Sequence, residues 1–186
     1  MPGAAAIAMW WDIAPEARAE WEDWHTREHM PERLSIPGFL RGSRWVHESS
    51  YFVLYEAKDL ATITSGPYLE RLNNPTPWSL RMMPHHLNMV RSLCVVHAGL
   101  GELPKFLATI RFAAPGRPAW NGPLLESQPM PGAQTTEQKI RGGDRTAGWI
   151  GLLGGDEEAA LAAAVKGRAP RGTIGVYRLA HWLENR

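Results

Sequence analysis

Apolar and polar positions change period several times along the chain, and each change marks an element. Ala4–Trp11 is an apolar run of strand length. From Glu16 to about Arg33, Trp21, Trp24 and Glu28 recur at helical spacing, and so do His25 and His29, one turn apart. Pro15 suits the first turn of that helix, with Asp12 near its start, and Pro31 and then Pro37-Gly38 are expected to stop it. Phe39–His47 reads as a strand, Glu48-Ser49-Ser50 as a turn, and Tyr51–Ala57, aromatic and β-branched, as the clearest strand of all. Leu60 to Leu72 reads as a second helix broken near Gly66-Pro67. Asn73 to His86 reads as a Pro-rich loop holding Trp78, and Met89–His97 as a fourth strand.

This order, β-α-β-β-α-β, is the split βαβ or ferredoxin-like unit, and it closes near residue 98. The pattern then begins again more weakly. Phe106–Phe112 is a strand, Pro115 to Pro131 is loop-like where a first helix should stand, and Gln134–Arg141 is expected as a strand. Trp149–Leu153 follows as a strand, Asp156–Val165 as an Ala-rich helix capped by Asp156, and Thr173–His181 as the last strand. The halves match piecewise, Tyr51–Asp59 with Ala147–Asp156 and Val95-Val96-His97 with Leu179-Ala180-His181. The expected architecture is therefore α+β: tandem ferredoxin-like repeats, 1–100 and 101–186, forming an intrachain α+β barrel. The second repeat is degenerate, its first helix reduced. A ferredoxin-like sheet carries helices on one face only, so two sheets packed face to face cover each other. The space between them is then the expected pocket.

Composition narrows the function. The chain has 186 residues, net charge +1 and 44% hydrophobic positions, with a mean hydropathy of -0.30, the profile of a soluble globular protein. Near-zero net charge without a basic run gives no case for nucleic acid. No apolar run approaches the ~18 residues of a membrane span, and no secretory leader is visible. Cys94, the one cysteine, implies no disulfide or cysteine-based zinc site, so the cytoplasm is the expected compartment. The unusual number is nine Trp, of which Trp10, Trp11, Trp21, Trp24, Trp45 and Trp78 fall in the first 80 residues.

The segment Trp24-His25-Thr26-Arg27-Glu28-His29-Met30-Pro31-Glu32-Arg33, followed by Ile36-Pro37-Gly38-Phe39 and the strand Val53-Leu54-Tyr55-Glu56, resembles the dimeric α+β barrel superfamily, in particular its EthD-like members. The resemblance covers the first ~100 residues in order and motif, and the second half only in outline. It implies a ferredoxin-like fold that hosts cofactor-free monooxygenases, lactone isomerases, polyketide cyclases and haem enzymes, so it names a fold and leaves the reaction open.

The residues that could carry chemistry gather in the first half. His29, with an ordinary pKa near neutrality, suits proton transfer on an enolisable or phenolic substrate; alternatively it caps a helix C-terminus. Arg33, one turn further, suits an anionic oxygen. Tyr55 offers a hydroxyl, and of the adjacent His85 and His86 at most one should face a pocket, with His86 taken as the catalytic partner. Trp11, Trp24, Trp45, Trp78 and His85 are the candidates for substrate contact, and Trp78 is alternatively a homodimer contact. His25-x-x-Glu28-His29 has the form of an inverted zinc-peptidase motif, but no third ligand is apparent, so metal binding by His25 and His29 stands as the alternative. The sequence thus points to a small-molecule enzyme, without cofactor, acting on an aromatic or polyketide-like substrate by oxygenase, isomerase, cyclase or lyase chemistry. A non-catalytic ligand-binding or accessory protein is the other reading, and a solvent-free interior between the sheets would favour it.

Overall fold

Alternation along β1 (Ala5–Ile13) sends Ile7, Met9 and Trp11 to one side and Ala6, Ala8 and Trp10 to the other, and both sides are buried. The computed structural model describes residues 3–114, 116–129, 132–168 and 172–185. After β1, a helical segment runs through α1 (Arg18–Trp24), a π-helical turn (His25–His29) and α2 (Met30–Leu34). The hairpin of β2 (Phe39–His47) and β3 (Ser50–Ala57) follows, then α3 (Gly66–Asn73), α4 (Pro77–Met82) and β4 (His86–Ala98). The second half comprises β5 (Phe106–Phe112), β6 (Leu124–Gln128), α5 (Thr136–Ile140), β7 (Trp149–Gly155), α6 (Glu158–Arg168) and β8 (Thr173–Glu184).

The eight strands close into one antiparallel barrel in the order β1-β3-β2-β8-β5-β7-β6-β4, so the protein is α+β with the helices outside. Within the first half the strands lie β4-β1-β3-β2, within the second β8-β5-β7-β6, and the β2–β8 and β4–β6 pairings close the ring. The barrel axis is not a pocket. Ala6, Trp10, Trp45, Phe52, Leu54, Cys94, Leu107, Leu125 and Ile150 meet there, all nearly inaccessible, because eight strands leave an interior that side chains just fill. Two further apolar layers lie outside the barrel, a large one beneath the helices of the first half and a small one beneath α6. No helix among the described residues is long and apolar enough to cross a membrane.

Several elements differ from the sequence reading for physical reasons. Pro31 does not end the first helix. The π-helical turn, in which the Met30 N–H donates to the His25 carbonyl five residues back, puts Pro31 in the opening turn of α2, and the helix runs on to Leu34. The stretch 73–86 contains α4 and a 3-10 turn (Met83–His85), with the Thr76 hydroxyl accepting from the Ser79 N–H at the start of α4. Leu124–Gln128 is a strand rather than loop; Pro115 and Pro131, which bounded that expected loop, lie outside the described residues. The expected strand 134–141 is helix α5, closed at its start by reciprocal bonds between Thr135 and Gln138. It lies against α3 of the first half.

Candidate functional site

Three histidines and three tryptophans converge between the first helical segment and the outward face of the first-half sheet. Trp21, Trp24, His25 and His29 come from α1 and the π-helical turn, Trp11 from β1, and His86 from the first residue of β4. The rings are in contact: Trp24–His29 centroids lie 4.5 Å apart, Trp11–His86 4.9 Å, Trp21–His25 5.0 Å and His25–His29 5.5 Å. Tyr51 and Tyr55 of β3 face the same layer. Gly42 on the neighbouring strand makes room for Tyr55, since a Cβ there would stand 2.9 Å from its ring.

Some polar atoms of this layer are fully engaged. His86 accepts from the Trp21 indole N–H at Nε2 (3.2 Å) and meets the Met83 carbonyl at Nδ1 (2.9 Å), which assigns its proton to Nδ1. The Trp24 indole N–H is shared between Glu28 and Ser79, and Tyr51 donates to Glu22 at 2.6 Å. Others have nothing. Both ring nitrogens of His25, Nδ1 of His29, Nε1 of Trp11 and the Tyr55 hydroxyl are buried without a hydrogen-bond partner. An unmet buried polar atom costs about 1–3 kcal/mol, and five of them share this layer.

Burial sets the protonation of this group. It is the first cause of the depressed pKa of all three histidines, pushing His86 down to about 3 and holding His25 and His29 well below 6.5. The Arg44 charge adds to the effect on His25, the Arg33 charge to that on His29, and the Arg141 charge to that on His86. Each imidazole is therefore neutral in its resting state near pH 7 and able to accept a proton. Burial likewise pushes the Tyr55 phenol above its ordinary value, so it stays a hydroxyl donor.

Beside the histidines runs a buried ion network that crosses between the halves. Arg33 pairs with Glu137 of α5 and lies 3.5 Å from Glu32. Glu137 also faces Arg141 at 3.5 Å, Arg141 meets Asp144 at 3.1 Å, and Asp144 lies 3.9 Å from Arg91, which donates to the Tyr68 hydroxyl at 2.8 Å. A crevice of about 20 Å³ reaches Tyr68 and Arg91 from the surface.

Of the residues marked in the sequence, His29, Arg33, Tyr55, His86, Trp11 and Trp24 come together on this face, with His25 among them. Trp45 points the other way, into the filled barrel against Phe52. Trp78 sits on α4, half-buried over the layer, its indole N–H on Glu20 at 3.2 Å, and His85 is half-buried in the preceding 3-10 turn while His86 takes the inward position. Among the described residues no group of three or more His, Cys, Asp or Glu side chains is placed to hold a metal ion. Sequence reasoning missed Trp21, Glu137, Arg141 and Asp144. No local spacing links the last three to α2; the one available signal was the Thr135-x-x-Gln138 capping pattern that starts the helix of Glu137.

An outward helix layer bearing the polar chemistry, on a closed α+β barrel whose axis is packed, defines the class of this protein. No protein-family profile and no curated protein matches the sequence. Among solved structures, an anthrone oxidase-like protein aligns over 97% of this chain and 92% of its own at TM-score 0.61 and 13% identity. A monooxygenase candidate from Fusobacterium nucleatum subsp. nucleatum aligns over 100% and 96% at TM-score 0.51 and 6% identity. At these identities the likeness establishes the shared fold, the α+β barrel.

Proposed function

We propose that the chain is a cofactor-independent oxidase or oxygenase of a small aromatic or polyketide-like substrate, with His29 as the base. The observation that carries this reading is the set of unpartnered buried polar atoms on His25, His29, Trp11 and Tyr55, walled by tryptophan. The names of the two structural neighbours agree with it. His29 is the member of the histidine group nearest solvent, half-buried where His25 is fully covered, so an incoming substrate meets it first.

The chemistry follows from the charges. Neutral His29 takes a proton from a carbon activated by two aryl rings or a carbonyl, and the positive Arg33 beside it stabilises the enolate that forms. The carbanion gives its electrons to dioxygen, the resulting peroxide recovers the proton from His29, and loss of water from the hydroperoxide leaves a ketone. The balance is CH2 + O2 → C=O + H2O. Tyr55 donates to the substrate oxygen. His86, with both nitrogens bound, positions Trp21. On this reading the two halves are tandem ferredoxin-like repeats, supported by their common strand order, and the first repeat holds the site.

The test is oxygen uptake with anthrone. The wild-type protein should accelerate it, and His29→Gln should lower the rate by roughly 10²–10⁴. Equal rates for the two proteins would sink the assignment. A non-catalytic binding protein is the second reading, and the filled barrel axis favours it; anthrone bound without oxygen uptake would establish it. The filled axis leaves the first reading standing because the histidine layer lies outside the barrel.

A further inference from the structure

One end of the barrel opens into a cleft of about 180 Å³ that the proposed chemistry does not use. Its walls include Trp10, Tyr51, Tyr177, Arg111 and Arg145, together with the carboxylate of Asp12. Arg111, on β5, is half-buried and stacks over Trp10 with its guanidinium carbon 5.2 Å from the ring centroid. It makes no hydrogen bond and no ion pair among the described residues, and burial is the first cause that disfavours its charge, opposed by the neighbouring Tyr177 and reinforced by Arg145. Arg145 spends one N–H on the Asn88 carbonyl at 3.2 Å. Asp12 is the carboxylate in the cleft wall, and both its oxygens are held: one accepts from Ser50 and the other from Asn88 at 2.8 Å. Among the described residues neither guanidinium is in an ion pair, and the one wall carboxylate is already held by two donors.

We propose that this cleft binds a small aromatic carboxylate, its carboxylate on Arg111 and Arg145 and its ring against the aromatic walls. A half-buried arginine without a counter-ion is costly unless an anion completes it, and a planar fork suits a carboxylate better than a point charge does. The room corresponds to about six waters, enough for a single aromatic ring. Trp11 and Tyr51 are common to the cleft and the histidine layer, but the ligand approaches from the barrel end and does not depend on His29.

Benzoate is the probe, followed by titration calorimetry and by tryptophan fluorescence, which Trp10 beside Arg111 should report. Saturable one-site binding is expected. Arg111→Gln should weaken it at least tenfold with an unchanged melting temperature, Arg111→Lys should restore part of it, and neutral benzamide should bind at least tenfold more weakly. His29→Ala should leave benzoate binding unchanged whether or not it alters oxygen uptake, which separates this site from the proposed reaction. Absence of saturation, equal affinity in Arg111→Gln, or loss of binding in His29→Ala would each overturn the proposal.

Discussion

The two halves of the barrel repeat one strand order and cover their outer faces in opposite ways. Over the second half, α6 is rich in alanine and buries only Leu161 and Val165 among its described side chains, against Phe106, Ala108 and Ile110. Over the first half lie tryptophans, histidines and a charged network, and α5 leaves its own half to join them. The α6 side shows how little is needed to cover such a sheet. The first half carries more than that minimum, and the proposed function places the site in this excess.

The largest way to test this difference is to cut the network. Glu137→Ala leaves Arg33 and Arg141 buried without its carboxylate, and should cost about 3–5 kcal/mol in urea unfolding. Glu158→Ala on α6, whose partner His47 is exposed like itself, should cost at most about 1 kcal/mol. Equal costs would mean that α5 does not tie the halves together.

Acidification acts on the same layer. The three histidines have folded pKa values below 6.5, so the unfolded chain binds more protons as pH falls. Their contribution to stability is complete above 6.5 and is lost on acidification, through a window that for His86 reaches down to about 3. For His86 alone the loss between about pH 7.5 and about pH 5 should be about 2 kcal/mol, and His86→Phe should flatten part of the slope. Urea midpoints that do not change over that range would remove the case for neutral, buried imidazoles.

How much of this was legible in the sequence depended on length and on which neighbours decide a residue's fate. Phe39–His47 and Phe106–Phe112 stand where alternation put them, because each strand is long and its register with its partners is continuous or nearly so. Leu124–Gln128 escaped because it has only 5 residues, set among prolines, and pairs with strands far away in sequence. Thr136–Ile140 is too short to show a helical period. The clustering of His25, His29 and Trp24 was readable from one helix. The face of β1 that meets them was not, since both faces are apolar and only the packing of helices against one distinguishes Trp10 from Trp11.

That pair of neighbours allows the finest comparison, made on one strand with one substitution. Trp10 and Trp11 are 5% and 4% exposed, so replacing either by Phe leaves a void of similar size. The Trp10 indole N–H donates to the Thr109 hydroxyl at 3.0 Å across the barrel, whereas that of Trp11 has no partner. Trp10→Phe therefore loses a made hydrogen bond, and Trp11→Phe removes a donor whose burial was a cost. Trp10→Phe should be the more destabilising by about 1–2 kcal/mol in urea unfolding. The order should reverse for ligand affinity in the histidine layer, because only the Trp11 donor is free to meet a substrate. If both substitutions cost the same stability and neither alters anthrone binding, the unpartnered indole is ordinary packing and the contrast between the two faces of β1 fails.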